Sequence, residues 1–151
     1  MNLAHYIGLL HRSECELAKA LREIGDAHVD EVDVHTLTTR LAKQSESHAE
    51  ALTPFASRYG EEAAGEPERL HSTLFAGARS GGLGLLRDLH DLYLMACECE
   101  ITWTLVAQAA QGARDRELLE TVQRCEAETA TQVKWLRSRM KEAAPQALVV
   151  A

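Results

Sequence analysis

Apolar residues recur at alternating steps of four and three along four stretches of the chain, the spacing that gathers side chains on one stripe of an α-helix. The first stripe reads Leu3, Ile7, Leu10, Glu14, Leu17, Leu21 and Ile24, and the Gly25-Asp26 pair is its expected stop. The second opens at Asp30, an N-cap residue with Asp33 three positions on, and runs through Val34, Leu37, Leu41, Gln44, His48, Leu52 and Phe55. Pro54 should kink its last turns and Gly60 should end it. After the Gly81-Gly82 break the third reads Leu85, Leu89, Leu92, Ala96, Cys99, Trp103 and Val106, with Tyr93 and Glu100 on its flank, and ends near Gly112. Asp115 caps the fourth, whose stripe is Leu119, Val122, Glu126, Thr129, Val133, Leu136 and Met140, ending before Pro145. Four helices are therefore predicted near residues 3–25, 30–59, 83–111 and 115–143.

Connection lengths select the topology. About five residues join the first two helices and about three join the last two, so each pair folds back as an antiparallel hairpin. Roughly twenty residues, Glu61 to Gly82, separate the hairpins, with a short helix expected from Glu66-Pro67. A helix of 28 residues is about 42 Å long, and a segment of that length can traverse it. The second and third helices are then parallel, in a bundle with one long crossover; a plain up-down-up-down bundle would not need such a connection.

Composition agrees with one all-α domain over residues 1–151: 46% hydrophobic residues supply a core, while 9 Gly, 3 Pro and 5% aromatics leave little for a β fold. A formal charge of -7 argues against nucleic acid and anionic membrane surfaces as partners, because binding to phosphates needs a basic face. No leader or membrane-spanning stretch is visible, and the expected location is cytoplasmic, with Cys15, Cys97, Cys99 and Cys125 as free thiols. Cys97 and Cys99 lie two apart on a helix, about 200° around its axis, and cannot share one ion. The glycines at 81, 82 and 84 lack the strand and spacing of a dinucleotide loop. The other histidines, His28 among them, are expected at the surface or at hairpin ends, and Arg137, Arg139 and Lys141 on a solvated face that complements the helix dipole.

Polar groups interrupt three of the four stripes. Measured by helical rise from the hairpin turns, Glu14, Ser45, Cys99 and Glu126 fall near one level, with His48 and Thr129 about a turn away. A polar layer is expected at mid-bundle. Four helices, one long crossover and these inward groups resemble the ferritin-like superfamily of di-iron carboxylate proteins. The family's E-x-x-H pairs appear here as Ser45-x-x-His48, which keeps the histidine, and Glu126-x-x-Thr129, which keeps the acid. Glu14 falls where the first-helix carboxylate would be.

On this resemblance Glu14, His48 and Glu126 remain as metal ligands, too few acids for a bridged di-iron centre but enough for one Fe, Mn or Zn ion. Two functions follow as expectations: a ferritin-like protein binding such an ion, or a metal-free ferritin-like scaffold whose Glu14, Gln44, His48, Glu126 and Thr129 form a hydrogen-bonded core cluster and which acts through protein contacts. No nucleophile with its base and no phosphate loop is visible, so a hydrolase or transferase has no residue to stand on; the full di-iron ligand set is absent, and what enzyme reading stays open is a weakly redox-active metal site. Tyr6, Leu9, Leu83, Leu94, Ile101 and Leu105 exceed one stripe, and a homodimer is expected.

Overall fold

A computed structural model describes residues 2–60 and 74–150. It contains α1 (Leu3–Ala27), α2 (Val32–Gly60), α3 (Gly81–Gly112) and α4 (Arg116–Pro145), followed by one π-helical turn, Gln146–Val150. The described residues hold no strand, and none of their helices is long and apolar enough to cross a membrane. The short helix expected from Glu66-Pro67 lies outside the described residues.

Helix directions follow from which ends meet. His28, just past α1, bonds Asp88 near the start of α3 at 2.7 Å, while Trp103, late in α3, reaches back to Glu14. α1 and α3 are thus antiparallel. Arg58 near the end of α2 bonds Asp115 and Glu117 at the start of α4, and Arg139 near the end of α4 bonds Glu31 and Asp33 at the start of α2. α2 and α4 are also antiparallel, which leaves α2 and α3 parallel. The end of α2 and the start of α3 lie at opposite ends of the bundle, so the connection between them is the one long crossover.

Buried positions follow the apolar stripes in α1 and α3. Leu3, Ile7, Leu10, Leu17, Leu21 and Ile24 pack against Leu85, Leu89, Leu92, Ala96, Cys99, Trp103 and Val106. Each fully buried leucine or isoleucine contributes about 2 to 3 kcal/mol of transfer free energy, so this interface carries much of the hydrophobic stabilisation. On α4 the stripe is rotated by one residue from the expected one. Leu118, Val122, Cys125, Thr129, Gln132 and Leu136 are buried, while Leu119, Glu126, Val133 and Met140 are half-exposed on the flank. On α2, Thr38 and Ser45 are buried, and Leu37 and Gln44 lie at the edge.

Several boundaries have other causes than expected. Gly25 does not end α1; it is buried inside the helix, where a β-carbon would collide with the Thr38 hydroxyl of α2. Its carbonyl also meets His35 Nδ1 at 2.9 Å. The glycine is there for close helix approach. α2 starts at Val32, two residues after Asp30. Gly112 is the last residue of α3, yet the left-handed residue that turns the chain is Arg114, with φ 56°. Arg114 N donates to Gln111 O and Asp115 N to Ala110 O, the paired bonds of a Schellman stop. Asp115 does cap α4, accepting from Leu118 N at 3.0 Å. Pro145 ends the α-helical pattern without breaking the chain direction: lacking an N–H, it forfeits one bond, and the chain continues in the wider π turn.

Gly25→Ala should lower unfolding free energy by about 1 to 3 kcal/mol through overpacking, whereas Gly8→Ala, at an exposed helical site with open space, should raise it by about 0.5 to 1 kcal/mol. Arg114→Gly should raise it by about 1 kcal/mol by relieving the left-handed conformation. Urea melts of the three variants measure all of this, and a neutral Gly25→Ala would refute the close-approach role.

Candidate functional site

At mid-bundle each helix contributes one side chain to a connected polar cluster. Glu14 of α1 is fully buried, because its position continues the stripe from Leu10 to Leu17. Trp103 of α3, also fully buried, donates its indole N–H to Glu14 Oε1 at 2.7 Å. His48 of α2 sets Nδ1 3.3 Å from the same Oε1, and its Nε2 lies 3.3 Å from Glu128 Oε1 of α4. The imidazole meets the Trp103 ring edge-on, with centroids 5.9 Å apart.

With a carboxylate oxygen at each ring nitrogen, only the imidazolium satisfies both acceptors, since neutral imidazole has a single N–H. Burial by itself would lower the His48 value. The hydrogen bond and charge of Glu14, then those of Glu128, outweigh it and hold the imidazole above its ordinary range. Both contacts are long for N–H···O bonds, so much of their effect is the attraction of opposite charges in a low-dielectric interior.

The cluster is not closed. Glu14 Oε2, Ser45 Oγ and Ser13 Oγ are buried with no hydrogen-bond partner among the described residues. Around them Thr129 donates to Cys125 O, and Gln132 bridges α4 to Gln44 Oε1 and Leu41 O of α2. Burial, then the Glu14 charge, pushes the Cys99 thiol well above its usual value, and burial raises Cys125 to about 11.

Of the three residues expected to gather, the structure brings Glu14 and His48 together and sends Glu126 elsewhere. Glu126 is half-buried on the α3-facing flank, where Thr104 donates to its Oε1 at 2.7 Å. The acid that reaches His48 is Glu128, about 200° around α4 from Glu126. This follows from the rotation of the α4 stripe. Trp103 and Glu128 were both missing from the expected site. The only signal for Trp103 was its place one turn after Cys99, and none marked Glu128.

The donor set can be tested against the ion the resemblance implies. An ion on His48 would take one ring nitrogen and with it one carboxylate, Glu14 at Nδ1 or Glu128 at Nε2. Fe, Mn and Zn sites use three or four protein ligands. Among the described residues no group of three or more His, Cys, Asp and Glu side chains is placed to hold a metal ion. As placed, these side chains do not fit the ion.

A second polar cluster ties one end of the bundle. Asp88 is fully buried at the start of α3 and accepts from Arg79 N and Nη1 at 2.9 and 2.7 Å as well as meeting His28. His28 therefore stands at a hairpin end, one of the two expected places, but is buried there as a latch between hairpins. Likewise Arg139 is largely buried by its pairing with Glu31 and Asp33 instead of lying on a solvated face.

The state of His48 has a measurable consequence. Its folded value lies above the unfolded one, so its stabilising effect is fully present below about pH 6.5 and fades as pH rises through the folded value. His48→Gln should cost about 1 to 3 kcal/mol at pH 6, and the gap to wild type should narrow by pH 9. Urea melts at the two pH values check this; a gap independent of pH would refute the imidazolium assignment.

Neither a protein-family model, a curated protein nor a solved structure matches the chain.

Proposed function

We propose that the chain is a ferritin-like bundle whose metal-ligand positions hold a hydrogen-bonded charge cluster in place of an ion, and that it works through protein contacts, first of all with a second copy of itself. The ferritin-like part rests on the parallel α2 and α3 and on the mid-bundle height of Glu14 and His48. The metal-free part rests on His48, whose two nitrogens are given to two different carboxylates.

The observation that carries the reading is the outer face of α3. Leu83, Leu94, Ile101 and Leu105 are 42 to 55% exposed, and at 100° per residue all four fall within about 40° of one line along the helix. Leu9, expected to join them, is buried in the core, and Tyr6 is half-buried beside it. Four aliphatic side chains in line on a helix whose opposite face is already packed form a seam for another helix.

A second copy is the occupant this reading takes. An antiparallel pairing about a twofold axis at Leu94 sets Leu83 opposite Leu105 and Leu94 against its own counterpart, with Arg87 opposite Ile101. The ends and the centre of the seam thereby pair apolar with apolar, and the methylene stem of Arg87 lies over Ile101.

Sedimentation equilibrium at micromolar protein should give about twice 16.7 kDa, and Ile101→Lys, at an exposed position, should return the monomer with unchanged helicity. A wild-type monomer at tens of micromolar would overturn the reading. Thermal melts in chelator and in excess Fe(II), Mn(II) or Zn(II) should share one midpoint. A metal-dependent rise that vanishes in His48→Ala would favour the single-ion reading instead.

A further inference from the structure

We infer that the apolar groove between the start of α1 and the end of α3 is a binding site for a single-chain amphiphile with an anionic head, a medium-chain fatty acid whose carboxylate meets Arg114. The groove has a volume of about 560 Å³ and is lined chiefly by Leu3, Tyr6, Leu105, Val106 and Ala109. It lies on the α1 side of α3, whereas the proposed seam runs along the outer face, and the two share only Leu105. The inference therefore goes beyond the self-pairing and does not rest on it.

Size and lining select the tail. Sites for small molecules have volumes of about 300 to 1,000 Å³ and mostly apolar walls, and the groove has both properties. The stretch of α3 that lines it, from Leu105 to Ala113, rises about 12 Å. An extended chain of about ten carbons, joined by bonds of about 1.5 Å, has that length. A protein partner takes about 800 Å² from each side in an interface of standard size, far more than so short a groove offers.

Charge selects the head. Gly112 and Ala113 lie at one end of the groove, and Arg114 follows them directly in the chain. Its acidic neighbours Asp115 and Glu117 are both taken by Arg58, and Arg114 itself makes no ion pair among the described residues. The carbonyls that would give the end of α3 a negative character are occupied: those of Ala109, Ala110 and Gln111 accept from the backbone N–H groups of Ala113, Asp115 and Arg114. Across the groove α1 begins with no acid in its first turn, and Asn2, which also lines the groove, makes no side-chain cap bond. A carboxylate at this end thus meets a cation for which no acid competes. Arg114 also stands at φ 56°, a left-handed conformation in which glycine would be more stable. A charged side chain held at a strained backbone position is a mark of a binding residue.

Isothermal titration calorimetry of the full chain with decanoate, kept below its micelle concentration, tests the site. One decanoate should bind per chain. Ala109→Trp, which fills the groove, and Arg114→Gly should each raise the dissociation constant by about tenfold or more. Arg114→Gly is expected to fold more stably than wild type, so its loss of binding cannot come from loss of structure, and Arg114→Lys should recover part of the affinity. Ile101→Lys, outside the groove, should bind like wild type whatever the state of association. In urea melts decanoate should raise the midpoint of wild type and leave that of Arg114→Gly where it was. Decanol bound as tightly as decanoate, or an undiminished Arg114→Gly, overturns the anionic head. No binding, or binding indifferent to Ala109→Trp, overturns the site. Binding by Ile101→Lys but not by a wild-type dimer overturns the fatty acid as occupant and assigns the groove to the second copy.

Discussion

The attraction between Glu14 and His48 is the constraint around which the bundle is arranged. Two ionisable groups deep in an apolar interior are costly unless each is paired, and removing one partner commonly costs several kcal/mol. Here the pair recruits every helix: Glu14 from α1, His48 from α2, the indole of Trp103 from α3 and Glu128 from α4. A bundle held only by leucine stripes tolerates sliding of one helix along another. A slip by one turn in this one would leave a buried carboxylate without its donors, so the cluster fixes register and rotation together.

Closures at the two ends act with that central constraint. At one end Arg58 and Tyr59 of α2 share Asp115, which is also the cap of α4, so the helix start and the interhelical bond depend on one carboxylate. At the other, Asp88 gathers His28 and the backbone and side chain of Arg79, joining the α1–α2 turn to the segment that enters α3. Between them α1 and α2 approach closely at Gly25 and Thr38, which no residue with a β-carbon would permit without a shift. With both ends and the middle tied, the freedom left in the molecule lies on its surface, and there α3 is the most apolar helix face.

The same arrangement bears on function. His48 with both nitrogens committed is a charge-balancing group, and the unpartnered Glu14 Oε2 and Ser45 Oγ beside it mark where the polar interior is least complete. Chemistry at this site would require opening a core that the cluster holds shut. Contacts along α3 require no such opening, and for that reason the proposed activity is placed on the surface.

The sequence by itself determined the elements and their order. Stripes with a period of 3.6, an Asp115 cap and two short turns are local properties, and the length of the connection between the hairpins followed from counting, so the all-α bundle with parallel second and third helices was legible in full. Glu14 and His48 were legible too, since each is a polar break in an otherwise apolar stripe. Tertiary structure decided what lies on a flank. On α4, two adjacent stripes one residue apart are both apolar enough to face inward, and only packing against α2 and α3 chose the one through Cys125, turning Glu126 to Thr104 and Glu128 to His48. Gly25 reads locally as a helix stop but serves as a crossing point, because its reason is the Thr38 side chain of another helix. Periodicity fixes which residues share a face; the rotation of that face about the helix axis depends on its neighbours.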